Sequence, residues 1–375
     1  MVENLSPVWH HEEVEITTKI MRCVWLNMVA SPAKCYNGGV EQTSKTKIKP
    51  LCIVNHFSNH LSSNPIVKST SIDNIKMAIQ KVAVVGGSGL IGSKIVDSLL
   101  KAGFQVTAIT RKESSATFPD NVIVKRVDIT SVDSVKEALA GQDAVVSAAA
   151  TAAAGSQKVI IDAAIAAKVP RFIPSEFGIP SRQNRDTKIG KILGAKIQNT
   201  DYLIELAEKH DWFSWTGLSN GLFLDSGLKS ARGFINIKDR KIRITDSGNE
   251  PYSTTSLAFV GEAVVAILKK PEETKNKYLN IAGVTTTQNE VLKIVERLTG
   301  DKFEVSHVTG AELEKTGDEK IAKGDFSAFG NYLEQFLFAD GAGHALKGDE
   351  NAIGLLGLKE ENLEEVVKSV IAEIK

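Results

Sequence analysis

The stretch VAVVGGSGLIG, Val82 to Gly92, joins a run of apolar residues to a group of regularly spaced glycines. Gly87, Gly89 and Gly92 fit the pattern G-x-G-x-x-G, and Gly86 begins an overlapping frame. The apolar run is typical of a buried strand, and the residues after the glycines have the apolar periodicity of a helix. The stretch therefore predicts a strand, a tight turn and a helix in direct succession.

This strand–turn–helix context is the one that a dinucleotide-binding fingerprint requires. The first glycines would let the chain turn with a positive φ, and Gly89 would let a pyrophosphate approach the backbone. Gly92 would let the helix pack on the strand, and the helix N-terminus would offer amide donors to phosphate. A tight turn without a ligand is the alternative, and we favour the dinucleotide site.

The same alternation of strand and helix continues to residue 219. The predicted strands are 81–86, 104–111, 122–129, 143–150, 171–178 and 212–219, and the predicted helices are 90–103, 131–141, 156–169 and 188–210. Strands that alternate with helices of this length predict βαβ units and a parallel sheet covered on both faces. The fold class is therefore α/β, a doubly wound Rossmann sheet.

Beyond residue 220 the rhythm changes to a hairpin-rich segment near 232–250, then helices and a strand, and an aromatic-rich helical end. We predict a Rossmann domain over 77–220 and a smaller α+β substrate lobe over 221–375, with some of its segments returning to the Rossmann sheet. Residues 1–76 show no sustained period and are turn-rich. We expect them to be a poorly ordered extension or a misassigned start, with Met77 as the functional first residue.

Composition limits the partners. Lys plus Arg and Asp plus Glu both number 45, so no overall charge favours nucleic acid or an anionic membrane. No apolar run of about 18 residues predicts a membrane span, and the first residues do not have the pattern of a secretory signal. We expect a cytoplasmic protein with a small-molecule substrate, as a monomer or a homodimer.

The cysteines, Cys23, Cys35 and Cys52, all precede Met77, and no metal site is predicted.

The end of the second strand predicts which dinucleotide binds. An NAD site is expected to have Asp or Glu about 20 residues after the glycines, where it accepts from the ribose 2′-hydroxyl. Here Arg111 and Lys112 stand instead. A guanidinium can hold a 2′-phosphate in a fork, so we predict NADP(H) rather than NAD, with two solvated loop cations as the alternative.

A lysine offers proton-transfer chemistry. None of the five tyrosines is followed by lysine four residues later, so the Tyr-x-x-x-Lys pair of short-chain dehydrogenases is absent. On the helix predicted over 188–210, Lys196 falls in the middle of an apolar arc, whereas Lys188, Lys191 and Lys209 lie away from it. A lysine on an inward face is desolvated, which lowers its pKa towards useful acid–base values. A lysine that extends past the core to solvent is the alternative.

Several motifs together resemble the NmrA-like, isoflavone reductase-like branch of the atypical short-chain dehydrogenases, and its fungal members most. These motifs are GGSGLIG, RFIPSEFG, the lysine-bearing helix before WTGLSNGLF, and YSTTSLAFVGEAVVAIL. The resemblance runs from about Ile79 to the C-terminus. It implies that Lys196 is the general acid or base, that the loop Pro174 to Gly178 lies near the nicotinamide, and that Asn220 to Phe223 lie beside the substrate. The chain departs from the branch at Phe259, where aspartate is common, so Thr255 or Ser256 would have to cap the following helix.

The function predicted is reduction of a small, conjugated or aromatic substrate with hydride from NADP(H). The alternative is a regulatory NmrA-like protein that senses the dinucleotide without turnover. The predicted cofactor-binding residues are Gly86, Gly87, Ser88, Gly89, Leu90, Ile91, Gly92, Arg111, Lys112, Pro174 and Ser175. The predicted substrate-binding residues are Glu176, Phe177, Asn220 and Phe223. For Glu176 we favour a role in holding its loop over a role as acid.

An aromatic stripe stays open to two interpretations. Phe326, Phe329, Tyr332, Phe336 and Phe338 follow one another at helical spacing. They would either line a pocket for an aromatic substrate or pack in the core, and a stripe of this kind is more often core.

Overall fold

The computed structural model describes residues 78–150, 155–229 and 234–374. Within them the strands are β1 Lys81–Val85, β2 Gln105–Arg111, β3 Ile123–Val127, β4 Ala144–Ser147, β5 Arg171–Ile173, β6 Ser214–Ser219, β7 Leu222–Phe223, β8 Ile235–Asn236, β9 Lys241–Thr245, β10 Tyr252–Thr255, β11 Lys277–Asn280, β12 Val284–Thr286 and β13 Glu304–Val308. The α-helices are α1 Leu90–Lys101, α2 Val132–Leu139, α3 Gln157–Ala166, α4 Lys188–Ile192, α5 Gly194–Lys209, α6 Leu224–Lys229, α7 Leu257–Lys269, α8 Gln288–Thr299, α9 Gly310–Ala322, α10 Ala328–Phe338, α11 Ile353–Leu356 and α12 Leu363–Ile374. The expectations for residues 1–76 and for a start at Met77 lie outside the described residues.

The main sheet confirms the predicted Rossmann fold. Its seven strands lie in the order β11-β6-β5-β4-β1-β2-β3, and every neighbouring pair is parallel. The strand order reverses at β1, which pairs with β2 on one side and β4 on the other. Ligands of such sheets bind beyond the carboxyl ends of the strands at this point.

Side chains alternate across the sheet and build a core on each face. Val82 and Val84 of β1 pack into one core together with residues of α1 and α7. Ala83 and Val85 of the same strand pack into the other core with residues of α2, α3 and α5. Strands buried on both faces explain the nearly continuous apolar runs in the sequence.

The prediction of a single helix over 188–210 is wrong. The segment is two helices, α4 and α5, which meet at Leu193, where φ is −82° and ψ is 10°. Gly194 follows directly, and glycine lowers helix stability by about 1 kcal/mol relative to alanine. The strand predicted over 171–178 is also shorter, because Pro174 lacks the amide hydrogen that the ladder needs.

Helix starts follow the predicted caps. Ser131 Oγ accepts from the Ser134 amide at the start of α2, and Thr287 Oγ1 accepts from the Glu290 amide at the start of α8. Ser256 Oγ caps α7 by accepting from the amide of Phe259. Ser256 lies three residues before Phe259, so this helix start keeps a side-chain cap although Phe259 stands where aspartate was expected.

Beyond residue 220 two small sheets stand beside the main one, in the orders β12-β10-β7 and β13-β9-β8. The predicted hairpin is present as the antiparallel pair β8–β9, and β11 returns to the edge of the main sheet beside β6. The boundary predicted at 220/221 stays a prediction. Within the described residues, no helix is long and apolar enough to cross a membrane, and no group of three potential metal-binding side chains occurs.

Candidate active site

The glycine loop after β1 is built on close backbone contacts. Gly86 has a φ of +78°, and a Cβ there would lie 2.8 Å from the carbonyl oxygen of Ala148. A Cβ on Gly92 would lie only 2.1 Å from the carbonyl oxygen of Gly86. Gly87 does not have a positive φ, contrary to the expectation for the first glycines. Its Cβ would instead meet Val96 at 3.2 Å, so packing accounts for glycine at this residue.

The face of this loop that leads into α1 is open to solvent. Gly89 is the N-cap of α1, no side chain caps the helix, and its first turn has no acidic residue. Ser88, Gly89 and Leu90 are exposed, and apart from its chain neighbours the only described atom within 4 Å of a Cβ on Gly89 is the carbonyl oxygen of Gly86. An uncapped helix N-terminus with exposed amides suits a phosphate.

Two cations stand beside the loop. Arg111 ends β2, which runs two residues farther than β1 in the parallel register of Val85 with Ile109. Lys112 follows, and both side chains are exposed. Arg126 of β3 stabilises the segment behind them, since its guanidinium donates to the carbonyl oxygens of Ser114 and Ala116. This places two positive charges at the edge of the sheet next to the glycine loop.

A series of contacts leads from the glycine loop to the loop after β5. The amide of Ala148 donates to the carbonyl of Val85 at 2.8 Å, directly before the glycines. The next residue, Ala149, accepts a 2.6 Å hydrogen bond at its carbonyl oxygen from Ser175 Oγ. Ser175 also donates its amide to Gln157 Oε1 at 2.8 Å. Pro174 and Ser175 are both buried, so this loop is fixed against the end of β4.

Besides Asn280 Oδ1 at the end of β11, three buried side-chain atoms near this edge have no hydrogen-bond partner among the described residues. They are Ser147 Oγ at the end of β4, Gln157 Nε2 at the start of α3, and Asn220 Oδ1 after β6. Buried polar groups are normally paired, so each unpaired atom needs an explanation. All three belong to segments next to the carboxyl ends of parallel strands, where a bound ligand would supply partners. Together with the open glycine loop, they fit a polar ligand such as a dinucleotide.

Glu176 is held by a clamp of three hydroxyl groups. Its side chain is 1% exposed. Its Oε2 accepts from Ser181 Oγ at 2.5 Å and from Tyr278 Oη at 2.6 Å, and its Oε1 accepts from Thr200 Oγ1 at 3.0 Å. Three donors account for much of the hydrogen-bonding capacity of a carboxylate. The geometry supports the expectation that Glu176 holds its loop, and it leaves the side chain no exposed face from which to act as an acid.

Lys196 lies under the same loop. It is 6% exposed, on α5, and its Nζ donates to the main-chain carbonyl oxygen of Glu176 at 3.1 Å. Burial lowers the pKa of Lys196, and the negative charge of Glu176 partly opposes that shift. Lys196 is therefore an inward-facing amine, not a lysine that extends to solvent.

The predicted substrate residues separate into different environments. Phe177 packs in the core on the α1 and α7 face of the sheet, so the structure gives its ring a packing role. Asn220 is fully buried, and its main-chain amide donates to the carbonyl oxygen of Gly178. This hydrogen bond joins the end of β6 to the loop after β5. Phe223 lines an open cavity of about 400 Å³, which we call the Phe223 cavity. It is also lined by Leu222, Ser226, Phe234, Arg243, Lys320, Asn331, Leu333 and Glu334.

The aromatic stripe is mostly core. Tyr332, Phe336 and Phe338 are buried in one cluster, and Phe329 packs partly against it. Phe326 alone is exposed, at 54%. Phe336 also lines a second cavity, of about 540 Å³, where its ring stacks on His344 with centroids 3.6 Å apart. The observation favours the core interpretation for most of the stripe.

Sequence reasoning missed the hydroxyl clamp and the charged wall of the Phe223 cavity. Thr200 is four residues after Lys196 on the same helix, so helical spacing could have placed both on one face. Tyr278 is 102 residues from Glu176, and only the return of β11 to the main sheet places it there. Arg243 and Glu334 are 91 residues apart and have no local signal.

Comparison with known proteins agrees with this architecture. A model of the NmrA-like family matches residues 78–335. Oxidoreductase aprR of Aspergillus flavus is 35% identical over 78% of this chain and 98% of its own length. Oxidoreductase poxI of Penicillium oxalicum is 30% identical over 78% of this chain and 94% of its own. The solved structure of AtPrR2 with NADP+ and (+)pinoresinol superposes with a TM-score of 0.65 at 22% identity, over 78% of this chain and 99% of that chain.

Proposed function

Because this chain belongs to the NmrA-like family, we propose that it is an NADP(H)-dependent reductase of a small conjugated substrate, with Lys196 as general acid or base. The oxidoreductase class is supported by the two fungal relatives of that name. The observation on which the proposal chiefly depends is the buried Lys196 amine, connected through Glu176 and Ser175 to the glycine loop.

The residues at the carboxyl edge fit the parts of NADP(H). The open N-terminus of α1, with Ser88 to Gly92, would bind the pyrophosphate through main-chain amides. Arg111 and Lys112 would bind the 2′-phosphate, because a guanidinium forms paired, charge-assisted hydrogen bonds with phosphate oxygens. The unpaired Gln157 Nε2 and Ser147 Oγ would donate to polar groups farther along the cofactor.

The distance between these parts is set by the sheet. The glycine loop follows β1 and the Ser175 loop follows β5. In the sheet β4 lies between these two strands. Adjacent strands are about 4.8 Å apart, so the glycine loop and the Ser175 loop are separated by about 10 Å. A dinucleotide laid across the edge would thus extend from the glycine loop towards Lys196.

When bound, NADPH supplies the hydride that reduces an electron-poor carbon of the substrate. Lys196, as an ammonium, gives one proton to the substrate oxygen that gains negative charge, and it takes a proton back from solvent afterwards. In the reverse direction the neutral amine removes that proton. Burial makes this exchange easier near neutral pH, since it lowers the pKa of Lys196 from the ordinary range of lysine.

Glu176 serves the lysine in two ways. The hydroxyl clamp fixes the loop, so that the carbonyl oxygen of Glu176 orients the Lys196 ammonium. The carboxylate also raises the pKa of Lys196 against the effect of burial, which favours the ammonium form. Glu176 is therefore a positioning residue in this proposal.

A deuterium-transfer assay tests the proposal. The full chain is given NADPH deuterated at nicotinamide C4, on one face at a time, with a panel of enones and quinone-methide precursors. We expect one product to acquire deuterium at carbon from one face only. Tight NADPH binding with no NADPH oxidation on any panel member would instead favour the dinucleotide sensor.

A further inference from the structure

The Phe223 cavity has an apolar side that is rigidly built. Phe223 and Leu222 follow the carboxyl end of β6, and Phe234 contributes a second aromatic ring. The ring of Phe234 lies edge-on against Phe338, with centroids 4.4 Å apart. Two aromatic walls and a volume of about 400 Å³ suit a small planar ligand, since ligand sites of about 300–1,000 Å³ are usual.

The lining of the cavity also includes cations. Arg243 and Lys320 both line it, and Glu334 is the only carboxylate among the described lining residues. Glu334 is 1% exposed, whereas the Arg243 side chain is 51% exposed. Among the described residues that line the cavity, two cations stand against one carboxylate, and Asp325, which does not line it, also acts on Lys320 by its charge.

Glu334 orients the guanidinium and does not occupy all of it. Its Oε1 accepts from Arg243 Nε at 2.8 Å and its Oε2 accepts from Nη2, so the pair uses one edge of the fork. Thr245 Oγ1 donates to the same carboxylate at 3.2 Å. Among the described residues, Arg243 Nη1 has no hydrogen-bond partner. A buried carboxylate that fixes one edge of an arginine leaves the other edge presented in a set orientation.

Lys320 completes the cationic side. Its Nζ donates to Asn331 Oδ1 at 2.9 Å, which places the ammonium at the cavity wall. No ion pair of Lys320 occurs among the described residues. An ammonium has three donors, so further donors remain for a ligand. A carboxylate would match both cations, because it accepts charge-assisted hydrogen bonds from guanidinium and ammonium alike.

We infer that the Phe223 cavity binds an aromatic or conjugated carboxylic acid, with the carboxylate held by Arg243 and Lys320 and the planar part between Phe223 and Phe234. The inference rests on the proposed reductase function where it takes this acid as the substrate. It names the substrate class: a conjugated carboxylic acid.

The test is calorimetric titration of the full chain, without nucleotide, with cinnamate and with cinnamamide, its neutral analogue of nearly the same shape. We expect the Kd of cinnamate to be about tenfold lower than the Kd of cinnamamide, since a hydrogen bond to a charged group contributes about that factor. The preference should fall as salt is raised, because salt screens such contacts.

Two variants weaken carboxylate binding without leaving Glu334 unpaired: one removes the charge of Lys320, and the other removes the free edge of the Arg243 guanidinium. Lys320→Gln keeps a donor for Asn331, and Arg243→Lys keeps a cation beside Glu334 but removes Nη1. Together they should reduce the preference for cinnamate to about twofold. Lys323→Gln is the matched control, an exposed lysine one turn away that does not line the cavity, and it should keep the preference.

The inference would be overturned if cinnamate did not bind or if cinnamate and cinnamamide bound equally well. It would also be overturned if Lys323→Gln reduced the preference for cinnamate as much as the two cavity variants do. Since the heat of binding does not depend on turnover, the two proposals fail separately. A reductase that prefers neutral compounds contradicts the carboxylate inference alone. A protein that binds cinnamate through Arg243 and Lys320 but never oxidises NADPH contradicts the reductase proposal alone.

Discussion

Lys196 Nζ donates to the main-chain carbonyl oxygen of Glu176 at 3.1 Å, while the Glu176 carboxylate is held by three hydroxyl groups. The same residue thus acts on the lysine through its backbone and through its charge. The hydrogen bond orients the ammonium, and the charge raises its pKa against burial. These two effects lead to separable predictions.

The first prediction concerns the pH dependence of Glu176→Gln. In the reducing direction Lys196 must be protonated, so kcat falls as pH rises through the pKa of Lys196. The amide removes the negative charge that raises this pKa, so the fall should move to lower pH. Steady-state NADPH oxidation between pH 5 and 10 checks this. Glu205→Gln, on the exposed face of the same helix, should leave the profile in place. A shift to higher pH would contradict the assigned effect of the charge.

The second prediction is a loss of stability in Tyr278→Phe. This change removes the 2.6 Å hydrogen bond to the buried Glu176 carboxylate and the acceptor for the Ser181 amide. Leaving buried groups without partners costs about 1–3 kcal/mol in the free energy of unfolding, measured by urea denaturation. Tyr332→Phe is the matched control, since its partner Asp318 has a side chain that is 51% exposed. We expect Tyr332→Phe to lower the free energy of unfolding by less than about 1 kcal/mol. Equal losses for the two variants would show that the clamp does not stabilise the fold.

The third prediction concerns Gly92→Ala. A Cβ at this residue would lie 2.1 Å from the carbonyl oxygen of Gly86, so the loop or the helix must move. We expect a loss of more than about 2 kcal/mol in stability and at least tenfold weaker NADPH binding, measured by denaturation and fluorescence titration. Among the described residues outside its own helix backbone, a Cβ on Gly330 in α10 meets no atom within 4 Å, so Gly330→Ala should be neutral or stabilising. Unchanged NADPH affinity in Gly92→Ala would mean that the loop does not bind the cofactor.

The fourth prediction concerns cofactor preference. Arg111→Ala should raise the Kd of NADPH about tenfold and that of NADH less than twofold, because only NADPH has the 2′-phosphate. Fluorescence titration with both nucleotides measures the two constants. Lys136→Ala, an exposed lysine on α2, is the control and should change neither. Equal losses for NADPH and NADH after Arg111→Ala would refute the 2′-phosphate role.

Local pattern was sufficient to predict the main sheet. The apolar runs at Val82–Val85 and Ala144–Ser147 are strands buried on both faces, and their alternation with helices predicted one parallel sheet. The inward face of Lys196 was also predictable, because helical spacing alone places it among apolar residues. These features depend on contacts between neighbours in sequence or between consecutive elements.

What the sequence did not predict depends on distant contacts. The break at Leu193 was missed because the apolar spacing of the sequence continues across it, although Ile189 and Leu193 pack in one cluster and Leu203 packs in another. Strands of two to four residues such as β7 and β10 have too few residues to show a period, and they pair across 32 positions. The environment of Glu176 needs Tyr278, and that of Arg243 needs Glu334, so both require the tertiary fold.

The central claim is that the buried amine of Lys196 transfers the proton in NADPH-dependent reduction. The most direct measurement is single-turnover NADPH oxidation with the compound that the deuterium-transfer assay shows to be reduced. Lys196→Met is compared with Lys191→Met, which changes an exposed lysine on the preceding helix. We predict at least a hundredfold lower rate in Lys196→Met, in the range of general acid catalysis, with the Kd of NADPH within about twofold of the unaltered chain. Lys191→Met should retain the full rate. A rate in Lys196→Met within threefold of the unaltered chain, at equal NADPH occupancy, would contradict the account.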